Sequence, residues 1–193
     1  AEFAQRKIFM FDGRVVDAAT GKVLSSRHRA KNAEGKGRVF DPSPSVALKT
    51  QDLPDRDDMN QSVFVPAYRI VPLTNLDGSG TLSGDWARVT NDDVATSPTG
   101  LFRYPRKDDR FEQVMAYHHV TSAQSYIQSL GFDDVNNEAQ DLSVNTFAGD
   151  NSFYDPSTDE ITFGTGGVDD AEDAELIWHE VGHVINDDQV PER

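Results

Sequence analysis

The chain has 193 residues, of which 26% are charged and 37% are hydrophobic, with no cysteine and a formal net charge of −15 at pH 7. This length fits one domain with an appendage, and no run of about 18 apolar residues is available to span a membrane. The negative charge disfavours nucleic acid and anionic lipid as partners, and without cysteine any metal must be held by histidine and carboxylate ligands.

The N-terminal third of the chain predicts β structure. Short apolar runs and a turn at residues 8–25 indicate a small β unit. The next segment, 26–37, is rich in Arg, Lys, Asn and Gly and lacks periodicity, so we interpret it as a linker or exposed loop. Apolar alternation returns at 38–40, 63–65 and 68–73, which predicts three strands separated by loops.

The middle of the chain predicts one long helix followed by strands. Apolar residues spaced by three and four begin near Asp108 and end at Leu130, where a glycine follows. We expect a helix of about twenty residues that is buried on one side. Two strand-like segments then follow at 142–147 and 152–163.

A second helix is predicted near the C-terminus. A glycine cluster at 164–167 precedes an acidic turn at 169–175, which suits a helix N-terminus because of the helix dipole. The helix should continue through His183 to about Ile185 or Asn186. Together with the strands before it, this predicts an α+β fold.

The C-terminal helix contains the motif Trp-His-Glu-Val-Gly-His at residues 178–183. Residues four apart share a helix face, so His179 and His183 can present both imidazoles to one metal, with Glu180 beside them. Neutral imidazole is a good zinc ligand, zinc acidifies a bound water, and a neighbouring carboxylate can accept the proton. The motif therefore predicts a metallopeptidase helix with two zinc ligands and a general base.

The third zinc ligand is not evident from the sequence, although catalytic zinc usually takes three protein ligands. Asp187 lies eight residues after His179, about 12 Å along a helix, which is too far for one ion. Gln189 stands where the metzincin pattern needs a third histidine. Glu192 has suitable chemistry but follows Pro191 and would require a tight reversal of the chain.

The stretch from His179 to Pro191 resembles the thermolysin-like gluzincin metallopeptidases, in the form used by bacterial relatives of thermolysin and fungalysin. The resemblance implies zinc at His179 and His183 and a general base at Glu180. It also implies a third ligand, a glutamate, about twenty residues after the second histidine, whereas this chain continues for ten residues after His183. We therefore expect an incomplete and inactive enzyme, truncated before the family's C-terminal lobe.

Two shorter similarities point to substrate and calcium binding. Residues 151–154 resemble the family's substrate-aligning edge strand, which implies that Asn151 and Ser152 bind a peptide added as a strand. An asparagine in a turn is the structural alternative. Glu175 lies four residues before His179, where the family carries a calcium ligand. The alternative for Glu175 is a surface or helix N-terminal carboxylate.

Other candidate residues have structural interpretations. Residues 75–82 open like a calcium loop, but Trp86 stands where an EF-hand needs its glutamate, so we predict a turn. His118 and His119 lie on the long predicted helix, and we expect them to pack there rather than face the zinc site.

Residues 15–24 resemble the last hairpin of the propeptide found ahead of such peptidases. This divides the chain into a propeptide tail, 1–34, and an N-terminal lobe bearing the catalytic helix, 35–193. We expect a secreted zinc endopeptidase that acts on peptides or proteins, with Zn²⁺ and also Ca²⁺ as candidate cofactors and the missing C-terminal lobe as a candidate partner. Two alternatives stay open: a calcium-stabilised binding domain with a vestigial histidine pair, and a site completed by a separate chain.

Overall fold

The computed structural model describes residues 33–54 and 61–190, together with the backbone of three earlier strands. These strands are β1 (Ile8–Phe11), β2 (Arg14–Asp17) and β3 (Val23–Ser26). They form an antiparallel sheet in the order β1-β2-β3. The predicted β unit at 8–25 is thus confirmed, and Glu192 lies outside the described residues.

The rest of the described chain forms two mixed sheets and three α-helices, which confirms the predicted α+β class. In chain order its elements are β4 (Ala33–Val39), α1 (Pro44–Leu48), β5 (Arg69–Leu76), β6 (Ala87–Val89), β7 (Leu101–Phe102), α2 (Arg110–Ser129), β8 (Gln140–Phe147), β9 (Phe153–Asp155), β10 (Glu160–Gly164) and α3 (Ala174–Gln189). Among the described residues, no helix is both long and apolar enough to cross a membrane.

The first mixed sheet has the order β5-β4-β7, with β4 antiparallel to β5 and parallel to β7. The linker prediction for 26–37 is therefore wrong from Ala33 onward. The buried face of β4 consists of Gly35, Gly37 and Val39, because the strand lies so close to α2 that a Cβ on Gly37 would be 2.6 Å from Val114 Cγ1. The proposed domain boundary after residue 34 falls inside this strand.

The predicted strand at 63–65 is also wrong, because residues 62–67 form a 3-10 helix. Phe64 is buried there, whereas Val63 and Val65 are exposed. Pro66 has no backbone N–H and cannot donate to a strand ladder. The predicted strand at 68–73 is confirmed as β5.

Helix α2 has the predicted position and length, with 20 residues. It contacts strands of both mixed sheets as well as α3. Its first two turns are consequently buried on every side, from Phe111 through Tyr117, and not on one side as predicted. Two of its side chains anchor the end of β4, since Met115 Sδ accepts from the N–H of Phe40 and His119 Nε2 lies 2.9 Å from the Phe40 carbonyl oxygen.

The second mixed sheet has the order β6-β8-β10-β9. Strands β6, β8 and β10 are parallel, and β9 is antiparallel to β10. The predicted strand at 142–147 is confirmed within β8. The predicted segment 152–163 contains two strands, β9 and β10, joined by a turn. Among the described strands, β9 therefore forms one edge of this sheet.

Helix α3 begins immediately after Asp173, whose carboxylate accepts a hydrogen bond of 2.8 Å from the N–H of Glu175. It packs on the core through Ile177, Val181 and Val184 and contacts both α2 and β9. Its end at Gln189 extends the predicted helix by about one turn. This placement leaves the opposite face of α3 open to solvent beside the edge strand.

Candidate metal and peptide site

The two motif histidines lie one turn apart on the exposed face of α3. Their Nε2 atoms are 3.1 Å apart, and their rings meet at 83°. Two nitrogens that each bind a tetrahedral zinc ion at about 2.0–2.1 Å would be about 3.3 Å apart. His179 and His183 therefore have almost the separation that one zinc ion requires.

Glu180 lies between these histidines in sequence but turns inward, and only 5% of its surface is exposed. Its carboxylate accepts a hydrogen bond from the backbone N–H of Tyr154 in β9. Burial raises the pKa of the Glu180 carboxyl, while His179, His183 and the Tyr154 N–H act in the opposite direction. A shielded carboxylate with a raised pKa accepts a proton more readily than an exposed one.

A cleft of about 730 Å³ runs between α3 and the segment that leads into β9. Five residues predicted from the sequence line it together: Asn151, Ser152, His179, Glu180 and His183. The edge strand and the metal motif are 25 residues or more apart in the chain, and the fold brings them to one cavity. The cleft is also lined by residues that the sequence analysis did not select, namely Asp150, Phe153, Tyr154, Pro156, Asp170, Leu176, Asn186 and Asp187.

The two predicted peptide-binding residues differ in their surroundings. Asn151 is exposed at the cleft, whereas Ser152 is half-buried and its hydroxyl donates to Asp170 Oδ2 at 2.7 Å. Burial raises the pKa of Asp170, and the Ser152 hydrogen bond opposes that shift. Because the Ser152 hydroxyl is already engaged, this residue would meet a peptide through its main chain.

Two of the residues that were not selected could have been found from spacing, and a third could not. Asp187 follows His183 by four residues and Glu180 by seven, so it shares their side of the helix. Tyr154 follows Ser152 by two residues and so shares its side of an extended strand. Asp170 has no local signal, since its place in the cleft depends on Ser152, 18 residues earlier.

Glu175 does not line the cleft and is exposed in the first turn of α3. This position fits a helix N-terminal carboxylate, and the calcium role of Glu175 stays a prediction. Across 33–54 and 61–190, no three His, Asp or Glu side chains are grouped so as to hold a metal ion. Among the described residues, no third His, Asp or Glu therefore joins the histidine pair as a metal ligand.

The other sequence features agree with their structural interpretations. In the 75–82 segment, Asp77 Oδ1 accepts from the N–H of Ser79 at 2.8 Å and closes a turn. His119 is buried away from the cleft, with its ring edge-on to Trp178 at 5.6 Å. Burial lowers the pKa of His119 to about 4, so it packs as a neutral side chain.

Comparison of the chain with protein-family models and with curated proteins yielded no match. Its function is therefore inferred from the geometry of the cleft and from the motif.

Proposed function

We propose that this chain carries the zinc-binding and general-base residues of a thermolysin-like zinc endopeptidase. The observation that carries the proposal is the 3.1 Å separation of His179 Nε2 and His183 Nε2 next to the shielded carboxylate of Glu180. A histidine pair that served packing alone would be expected inside the core with backbone partners, as His119 is. This pair instead converges at the surface of a cleft.

Each residue of the cleft has a role in this proposal. His179 and His183 would hold zinc through Nε2, and the ion would supply a Lewis acid that polarises a peptide carbonyl and lowers the pKa of water. Glu180 would accept the proton of the attacking water at its carboxylate. The Tyr154 N–H keeps that carboxylate turned toward the edge strand, where the substrate would lie.

The substrate class follows from the edge strand. Among the described strands, β9 pairs with β10 alone, so its other side can add an extended peptide through main-chain hydrogen bonds. Such pairing recognises the backbone of any extended chain, which suits an endopeptidase. Asn151 and Ser152 directly precede β9 and would extend the pairing toward the cleft.

A second polypeptide surface is needed to complete the proposed enzyme. Three large apolar side chains at or beside the cleft are exposed by 38–43%: Phe153 and Leu176 line it, and Phe147 packs edge-on against Phe153. Grouped apolar exposure of this kind marks a surface that another element covers. We propose that a further lobe, in this chain's full protein or in a separate chain, covers α3 and supplies the third ligand. Secretion belongs to the same proposal.

A zinc titration tests the proposal. The protein should bind one zinc ion in competition with a chromophoric chelator, and His179→Ala and His183→Ala should each weaken binding by at least about tenfold. The reason is that losing a direct ligand costs no less than losing a second-shell partner. His28→Ala, a histidine in the N-terminal segment, is the matched control and should bind as the wild type does.

The calcium-stabilised alternative gives the opposite result. Calcium would then raise the unfolding temperature, and zinc would bind equally weakly to the wild type and to His183→Ala. That pair of results would remove the peptidase proposal.

A further inference from the structure

Tyr154 makes polar contacts from both its backbone and its side chain at the centre of the cleft wall. Its backbone N–H donates to Glu180 on α3. Its hydroxyl lies 3.0 Å from Asp159 Oδ1, in the turn between β9 and β10, and 3.3 Å from Asp187 Oδ2 on α3. One residue of the edge strand thus reaches the metal-binding helix at two points.

The two contact points on α3 lie on either side of His183. Glu180 and Asp187 are seven residues apart, which is about two turns and about 10 Å along the helix. His183 lies between them, four residues before Asp187. Tyr154 therefore holds β9 against the stretch of helix that carries His183.

The Tyr154 hydroxyl lies within hydrogen-bonding distance of two carboxylates. A tyrosine hydroxyl carries one proton, so it donates to one carboxylate at a time. Asp159 belongs to the same hairpin as Tyr154, and a bond to it stiffens the hairpin alone. Of the two hydroxyl contacts, only the one to Asp187 reaches α3, and it adds a side-chain link to the backbone link from the Tyr154 N–H to Glu180.

We infer that Tyr154 is a positioning residue, whose hydroxyl sets the spacing between the peptide-binding edge and the zinc-binding histidines through Asp187. The inference rests on the proposed function, because it assigns this spacing to substrate alignment. It concerns peptide binding and not the metal, since Tyr154 makes no hydrogen bond to either imidazole among the described contacts.

The variant Tyr154→Phe removes the hydroxyl and keeps the ring and the backbone N–H. In zinc-loaded protein, its affinity for a labelled unstructured peptide should fall by about tenfold, because a hydrogen bond to a charged group is lost. Its zinc affinity should stay within about twofold of the wild type, and its unfolding temperature should fall modestly because the lost bond also joins β9 to α3. A merely structural role would lower the unfolding temperature and leave the peptide affinity of the folded protein unchanged.

Tyr126→Phe is the matched control, since Tyr126 lies on α2, is 64% exposed and does not line the cleft. It should bind peptide and zinc as the wild type does. Equal peptide affinity in Tyr154→Phe and the wild type would overturn the inference while leaving the zinc proposal intact. Wild-type protein that binds neither zinc nor peptide would overturn the proposed function itself.

A double-mutant cycle identifies the acting carboxylate. If the hydroxyl works through Asp187, then Asp187→Asn should weaken peptide binding in the wild type and add little to Tyr154→Phe. Asp159→Asn should have the smaller effect of the two single variants. Full additivity of Asp187→Asn and Tyr154→Phe would show that the two side chains act separately and would overturn the inference.

Discussion

Glycine has opposite consequences at two positions that the sequence alone does not distinguish. Gly37 lies in β4 under α2, where a Cβ would meet Val114 Cγ1 at 2.6 Å and Leu73 Cδ2 at 2.9 Å. Gly182 lies between Glu180 and His183 on α3, and a Cβ there would have no atom within 4 Å. Close packing therefore requires glycine at position 37. At position 182 a larger residue would fit, and alanine would favour the helix.

Alanine at these two positions should therefore shift stability in opposite directions. Gly37→Ala should lower the free energy of unfolding by about 1–3 kcal/mol through overpacking, and Gly182→Ala should raise it by up to about 1 kcal/mol through helix propensity. Urea unfolding followed by circular dichroism measures both. A stable Gly37→Ala protein would mean that β4 and α2 are less closely packed than described.

At the residue scale, the sequence predicted only part of the lining of the cleft. The histidine pair and Glu180 were predictable because helical spacing fixes which side chains share a face. Asp150 and Asp170 were not, because their positions depend on contacts between segments far apart in the chain. The Ser152 hydrogen bond to Asp170 is such a contact.

At the scale of elements, prediction succeeded where the spacing of apolar residues along the sequence matched the period of a helix or a strand. Helix α2 was found for that reason. The predicted strand at 38–40 overlaps only the end of β4, and the rest of β4 was missed because glycine replaces apolar residues at two of its three buried positions. The 3-10 helix at 62–67 was mistaken for a strand because three adjacent apolar residues do not indicate a period, and Phe64 alone among them is buried.

A buried charged cluster joins α2 to the segment that leads into α3. Arg106 Nε lies 2.6 Å from Glu172 Oε2, and both side chains are almost fully buried. Glu112, in the first turn of α2, is also fully buried. Burial, and then the negative charge of Glu172, raise the pKa of Glu112 well above its usual value. Burial therefore favours the protonated form of Glu112 in the folded protein.

The raised pKa of Glu112 predicts a pH dependence of folding. The folded protein binds the Glu112 proton more tightly than the unfolded chain does, so this contribution to stability is full below the unfolded pKa and is lost as pH rises toward the folded pKa. Glu112→Gln keeps the shape without the titrating group. Its free energy of unfolding, from urea titrations at about pH 5 and pH 8, should fall less over that interval than the wild-type value.

A different result would contradict a protonated Glu112 in the folded protein. If the wild type and Glu112→Gln lose the same stability between the two pH values, then Glu112 is ionised in the folded protein and Arg106 compensates two carboxylates.

At the scale of the whole molecule, charge should govern which peptides reach the cleft. The net charge is −15, and the cleft is lined by four acidic residues and, within the described chain, by no lysine or arginine: Asp150, Asp170, Glu180 and Asp187. A cleft of one sign concentrates ligands of the opposite sign and speeds their association. Basic peptides should therefore be captured faster than acidic ones.

Stopped-flow fluorescence with two peptides that differ only in Lys-to-Glu replacements measures this effect. The lysine peptide should associate at least about tenfold faster at low ionic strength, and the difference should shrink as salt screens the charges. Equal rates at low salt would mean that the cleft carboxylates are neutralised by bound protons or cations.

The edge strand β9 also bears on how the protein avoids aggregation. An open strand edge can pair with the same edge of another molecule and seed aggregates. Strand β9 is only three residues long and is followed directly by Pro156, which cannot donate to a ladder. Two copies that met edge to edge would form few hydrogen bonds and would bring their acidic clefts together. Because β9 is short, a bound peptide can pair with it over only a few residues. The same shortness disfavours pairing between the edges of two molecules.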